Sequence, residues 1–127
     1  MTEKFPPLRV LIVDDELLIR WSIAETLSLA GHSVVQAADG AGAIAALTPP
    51  NAPIDAIVLD YRLPDSDDFR LLERVRALAP ASPVVLVTAH GSAEIDSGAL
   101  ARGVYAIVKK PFDVNELTGL LSRACSR

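Results

Sequence analysis

Apolar residues gather into five short runs, at residues 8–13, 33–38, 54–59, 83–88 and 104–108, each rich in Val, Ile or Leu. Runs of that length and composition predict strands. The first, third and fourth are almost continuously apolar instead of alternating, as a strand covered on both faces requires, so a parallel sheet is expected. Between the runs, apolar positions recur at helical spacing: Ile19, Ile23, Leu27 and Ala30, then Phe69, Leu72 and Val75, then Val114, Leu117 and Leu121. Gly31 closes the first helix, Pro49 and Pro50 close the second, and Asp113 with Glu116 resembles a capping box opening the last. A fourth helix is expected over residues 92–102. It contains Ser97 and Gly98, and a helical glycine costs about 0.8–1 kcal/mol against alanine, so this helix should be the least stable.

Five strands alternating with five helices define the α/β class. Right-handed crossovers then imply a doubly wound, flavodoxin-like (βα)5 sheet, for which 2-1-3-4-5 is the expected strand order. The 127 residues fit one domain, large enough for a continuous core and too short for two. Residues 1–7 are expected to be a loose N-terminus.

With 50% hydrophobic and 22% charged residues, the chain has none of the polar bias of a disordered sequence. A net charge of −4 with scattered Lys and Arg gives no basic field for a phosphate backbone, which argues against direct nucleic-acid binding. The single cysteine, Cys125, cannot form an internal disulfide, so a reduced, cytoplasmic setting is expected. No apolar run approaches the roughly 18 residues of a membrane-spanning helix, and the N-terminus lacks the order of a signal peptide.

In an open parallel sheet, ligands bind beyond the carboxyl ends of the strands. The residues at those ends are Asp14, Asp15 and Glu16, then Asp60, Tyr61 and Arg62, then Thr88, Ala89 and His90, then Lys109 and Lys110. An acidic pair alone is weak evidence, since Asp15 or Glu16 could simply cap the first helix. A third carboxylate, a hydroxyl and an ammonium at three further strand ends make the pattern specific. Clustered carboxylates raise one another's pKa unless a cation intervenes, and Mg2+ suits such hard oxygen donors together with a phosphate oxygen.

These residues resemble the receiver domains of two-component response regulators. The resemblance covers nearly the whole chain, through VLIVDDE at the first strand, VLDYRLP at the third, VTAHGSAE at the fourth and KKPF after the fifth. It implies that Asp60 accepts a phosphoryl group from the phosphohistidine of a sensor histidine kinase. It further implies that Asp15 binds Mg2+ directly, Asp14 through water, and the Arg62 carbonyl completes the protein ligands. Thr88 is implied to hydrogen-bond one phosphoryl oxygen and Lys110 to pair with another, while Lys109 reads as a solvated charge. The implied role is signalling, with phosphoryl uptake and slow self-dephosphorylation as its chemistry. VTAHGSAE and LLIRWSIAETL look most like receivers at the N-terminus of enhancer-binding transcription activators, so an output domain or downstream protein is an expected partner. A homodimer through the face of the fourth helix, fifth strand and fifth helix is also common in the family.

Two positions depart from the family pattern. Ile107 stands where receivers usually carry Tyr or Phe, and reads as core; Asp68 stands where glycine is common, in an acidic loop that reads as a helix N-terminus. His32 and His90 read as solvated loop residues, and Trp21 as packing near the pocket. Two other classes fit the residues less well. A phosphohydrolase of the haloacid dehalogenase type needs a second Asp two residues after its nucleophile, where this chain has Arg62. A receiver-like interaction module that no longer takes up phosphate is favoured only by Ile107 and Asp68.

Overall fold

The computed structural model describes residues 7–89 and 91–125. The expected loose segment 1–7 therefore lies outside the described residues except for Pro7, and His90 lies outside them too. The elements run β1 (Arg9–Val13), α1 (Leu17–Leu29), β2 (Ser33–Ala37), α2 (Gly40–Leu47), β3 (Ala56–Asp60), α3 (Arg70–Leu78), β4 (Val84–Thr88), α4 (Ala93–Ala101), β5 (Ala106–Lys109) and α5 (Val114–Cys125). All pairings are parallel and the sheet order is β2-β1-β3-β4-β5, as expected.

The continuously apolar runs have their predicted cause. Every residue of β3 and β4 is buried, because helices cover both faces. Val10, Ile12, Val58 and Val85 pack with Ile23 and Leu27 of α1 and Leu117 and Leu121 of α5. Their neighbours Leu11, Val13, Ile57, Leu59 and Leu86 point the other way, toward Ala43 of α2, Leu72 and Val75 of α3 and Ala99 of α4. Alternate residues of one strand thus feed two cores, the period of two that strand geometry imposes.

Several boundaries differ from the sequence reading, each for a local reason. β3 starts at Ala56 instead of residue 54; Ile54 is buried, but the Asp55 side chain accepts from Arg9 N at 2.7 Å and serves as a link at the sheet margin. β5 starts at Ala106, because Val104 still belongs to the turn closing α4, where its N–H donates to Ala99 O. Gly31 does terminate α1: at φ 96° it lets the N–H groups of Gly31 and His32 reach the carbonyls of Ser28 and Leu27, a left-handed cap that suits glycine. Phe69 precedes α3 instead of starting it. At α5 the Asp113 carboxylate accepts from Asn115 N at 2.8 Å, so the cap engages Asn115 and not Glu116.

Candidate functional site

Strand order reverses between β1 and β3: the chain leaves β1 toward β2 on one side and later places β3 on the other. The crevice at that switch point is where a doubly wound sheet binds ligands. Asp14 follows β1 directly and Asp60 ends β3, and both are buried, at 2% and 5% exposure. Oxygen atoms from Asp14, Asp15, Glu16 and Asp60 all lie within 4.8 Å of one another. Glu16, a strand-end acid that the resemblance does not make a metal ligand, thus stands in the same cluster as Asp14, Asp15 and Asp60.

Lys110 enters this cluster from the end of β5. Its N–H donates to Thr88 O at 2.8 Å, and its Nζ lies 3.0 Å from Asp60 Oδ2 and 3.2 Å from Asp14 Oδ2, with a further ion pair to Glu16 Oε1. Burial works against the ammonium, but hydrogen bonds to Glu16 and Asp60 and the field of Asp14 outweigh it and hold Lys110 above its ordinary pKa. At Asp60 burial dominates. It lifts the carboxyl from 3.8 to about 6, helped by the charge on Asp14 and opposed by Lys110 and by the Arg62 N–H, 3.4 Å away. Thr88 ends β4 at 2% exposure, and its Oγ1 has no hydrogen-bond partner. An unsatisfied buried hydroxyl is costly and rare, and this one belongs to the last residue of β4, at the carboxyl ends of the strands.

Supporting contacts fix this geometry. Asp14 N donates to Ala37 O and its Oδ1 accepts from Glu16 N at 2.8 Å. Arg20 on α1 donates from Nη1 to the Asp14 carbonyl at 2.8 Å and from Nε to Gln36 Oε1 at 3.1 Å. No short motif signals Arg20, because its partner is a main-chain atom. Lys109 lies outside the cluster, exposed, with Asp96 Oδ2 at 3.8 Å. Asp68 acts as a helix N-terminal acid, accepting from Arg70 N and Nε, both at 2.9 Å.

Other residues differ from their sequence reading or refine it. Trp21 is 57% exposed rather than packed, and with Leu17 and Leu18 it leaves α1 apolar on its outer face. His32 is not merely solvated: its Nδ1 accepts from Leu8 N at 2.9 Å, tying the start of β1 to the α1–β2 turn. Ile107 is half-buried and packs against the α2–α3–α4 core, as a core residue should.

The family model for the response regulator receiver domain matches residues 10–122, and the chain belongs to that family. Among proteins of known description, it is 32% identical over 117 residues to the DNA-binding transcriptional regulator NtrC of Escherichia coli K12, covering 92% of this chain and 24% of that protein. A Rickettsia conorii sequence described as NtrX-like is 38% identical over 120 residues, covering 93% and 25%. The chain thus spans about a quarter of the length of these relatives. Among solved structures, a CheY-like receiver domain protein from Methanospirillum hungatei superposes with a TM-score of 0.85 at 28% identity, covering 93% of both chains. NtrX from Brucella abortus gives 0.83 at 34% identity, over 94% of this chain and 27% of that one. No described helix is long and apolar enough to cross a membrane.

Proposed function

We propose that this chain is one receiver domain whose Asp60 accepts a phosphoryl group from a sensor histidine kinase, in a Mg2+-dependent reaction. The observation that carries the reading is the buried Asp60 carboxylate with the Lys110 ammonium 3.0 Å away, inside a cluster of acids at the switch point of the sheet.

The donor set suits a hard divalent cation: four carboxylates within 4.8 Å, with one ammonium to offset their charge. Asp14, Asp15, Asp60 and the Arg62 carbonyl would hold Mg2+, hard oxygen donors of the kind it prefers, and the ion would supply positive charge to offset that of the phosphoryl oxygens. With a pKa of about 6, Asp60 is mainly ionised at neutral pH and available as a nucleophile. Its carboxylate oxygen forms the new bond to phosphorus while the bond from phosphorus to the histidine nitrogen breaks, and the imidazole leaves with the electron pair. Lys110 offsets charge on the phosphoryl oxygens, the main demand of a loose transition state. Thr88 Oγ1, free of other partners, donates to another oxygen. Water later attacks phosphorus, releasing inorganic phosphate and restoring the carboxylate.

Uptake of phosphate would then draw the Thr88 hydroxyl toward the acyl phosphate and shift the segment entering α4, biasing a two-state surface. The relatives described as a DNA-binding transcriptional regulator and as an NtrX-like response regulator favour an output domain or a downstream protein as the reader of that surface. We further propose a homodimer as one form and the cytoplasm as the setting. The test is intact mass after incubation with acetyl phosphate and Mg2+. Wild type is expected to gain one phosphoryl group and Asp60→Asn none; an unmodified wild type overturns the reading and leaves an interaction module.

A further inference from the structure

The loop that follows β3 carries Arg62, and its far end, at Asp65, is tied to the start of α2. Asp65 accepts from Gly40 N at 2.8 Å and from Ala41 N at 3.1 Å, the first two amides of α2. Asp39 accepts from Gly42 N at 2.8 Å, and Ala43 N donates to Asp39 O. The two acids therefore divide the unpaired amides at the start of α2 between them, one from within the helix's own segment and one from 25 residues away. Gly40 is matched to this contact: a Cβ there would stand 3.1 Å from Asp65 Oδ1 and 3.1 Å from Leu71. The same loop is closed on itself by Leu63 N to Ser66 O at 2.7 Å and Ser66 N to Leu63 O at 3.1 Å, with Leu63 buried.

From these contacts we infer that Asp65 is a positioning residue for the cation site, holding the Tyr61–Arg62 segment in place by clamping the β3–α3 loop to the N-terminus of α2. The inference rests on the phosphoacceptor reading above, in which the Arg62 carbonyl is a Mg2+ ligand. Fixed points lie on both sides of Arg62: before it, Tyr61, whose N–H donates to Val87 O at 2.8 Å; after it, Leu63 in the core and Asp65 bonded to the start of α2. Freeing the last leaves the part of the loop after Arg62 with its own two hydrogen bonds and Leu63, while Tyr61 before it keeps its N–H bond to Val87 O and its contact with the Phe69 ring. A carbonyl ligand delivered by a looser loop binds its cation less well, while the carboxylates of Asp14, Asp15 and Asp60 are untouched.

Calorimetric titration of the chain with Mg2+, paired with thermal melts, tests this on wild type, Asp65→Ala, Asp65→Asn and Asp39→Ala. Asp65→Ala is expected to weaken Mg2+ binding by about tenfold, the low end of what loss of an outer-shell partner costs, with Asp65→Asn between it and wild type. The Mg2+ concentration giving half-maximal phosphoryl uptake from acetyl phosphate should rise by the same factor, and the rate at saturating Mg2+ should stay near wild type, the mark of lost binding and not lost chemistry. Asp39→Ala removes a cap from the same helix outside the β3–α3 loop, so it should lower the melting temperature and leave Mg2+ affinity unchanged. Wild-type affinity in Asp65→Ala, or equal weakening in Asp39→Ala, overturns the inference alone. A wild type that binds no Mg2+ overturns the underlying reading with it. Should Asp65→Ala not fold, Asp65→Asn carries the same comparison.

Discussion

Lys110 Nζ donates to Asp60 Oδ2 at 3.0 Å, joining residues 50 positions apart across the ends of two strands that are not neighbours in the sheet. The contact works in both directions, lowering the Asp60 pKa against the pull of burial while holding the ammonium charged. Lys110→Met should therefore raise the Asp60 pKa above about 6, as followed by the 13C shift of its carboxyl carbon through a pH titration. A fall, or no change, would mean that the pair does not set the carboxylate's charge.

The same raised pKa makes a stability statement. Asp60 holds its proton more tightly folded than unfolded, so its contribution to stability is fully present below about 3.8 and is lost as pH rises through about 6. A gap of that size corresponds to on the order of 3 kcal/mol. Asp60→Asn, which cannot ionise, should unfold at higher urea than wild type at pH 8, and its advantage should shrink toward pH 4. An equal advantage at both values would assign the effect to packing instead of charge.

Thr88 offers a cleaner case of stability given up at a site. Its Oγ1 is buried without a partner, and leaving such a group unsatisfied costs about 1–3 kcal/mol. Thr88→Val keeps the shape and removes the hydroxyl, so urea melts should show it as stable as wild type or more so, by roughly 1 kcal/mol. Marked destabilisation would mean that the hydroxyl already has a role in the unphosphorylated protein.

α4 is the helix held most lightly. Ala99 is its one buried residue, whereas α1 buries Ile23, Ala24 and Leu27. Hydrogen exchange should find α4 less protected than α1. Its glycine is more than a weak point, however: a Cβ at Gly98 would stand 2.5 Å from the Phe69 ring, which lies edge-on to Tyr61 at 5.4 Å and under the Arg102 guanidinium at 4.2 Å. Gly98→Ala should therefore destabilise the protein by about 1 kcal/mol, overpacking outweighing the gain in helix propensity. A gain in stability would show that the ring gives way freely.

The strands and their order were legible in the sequence because burial on both faces leaves a continuous apolar run, and because strict alternation of strand and helix admits few topologies. That Asp14, Asp15, Asp60 and Lys110 come together was legible for a related reason: strand ends collect at one edge, and the resemblance then singled out Lys110 over Lys109. What escaped was contact between side chains and distant main chain. Arg20 reaches the Asp14 carbonyl and Asp65 reaches the amides of Gly40 and Ala41; such partners carry no residue type to recognise. Glu16 was read as a strand-end acid or helix cap, and only the reach of Lys110 across the crevice pairs the two.

A phosphoryl group on Asp60 can be trapped in place with borohydride. Reduction of an acyl phosphate at an aspartate releases phosphate and leaves homoserine at that position, which tandem mass spectrometry of the digested protein can place. After treatment with acetyl phosphate and Mg2+, homoserine is expected at position 60 and at no other aspartate. Homoserine at Asp14, Asp15 or a loop acid, or phosphate found on Thr88 or another hydroxyl, would mean that Asp60 is not the acceptor.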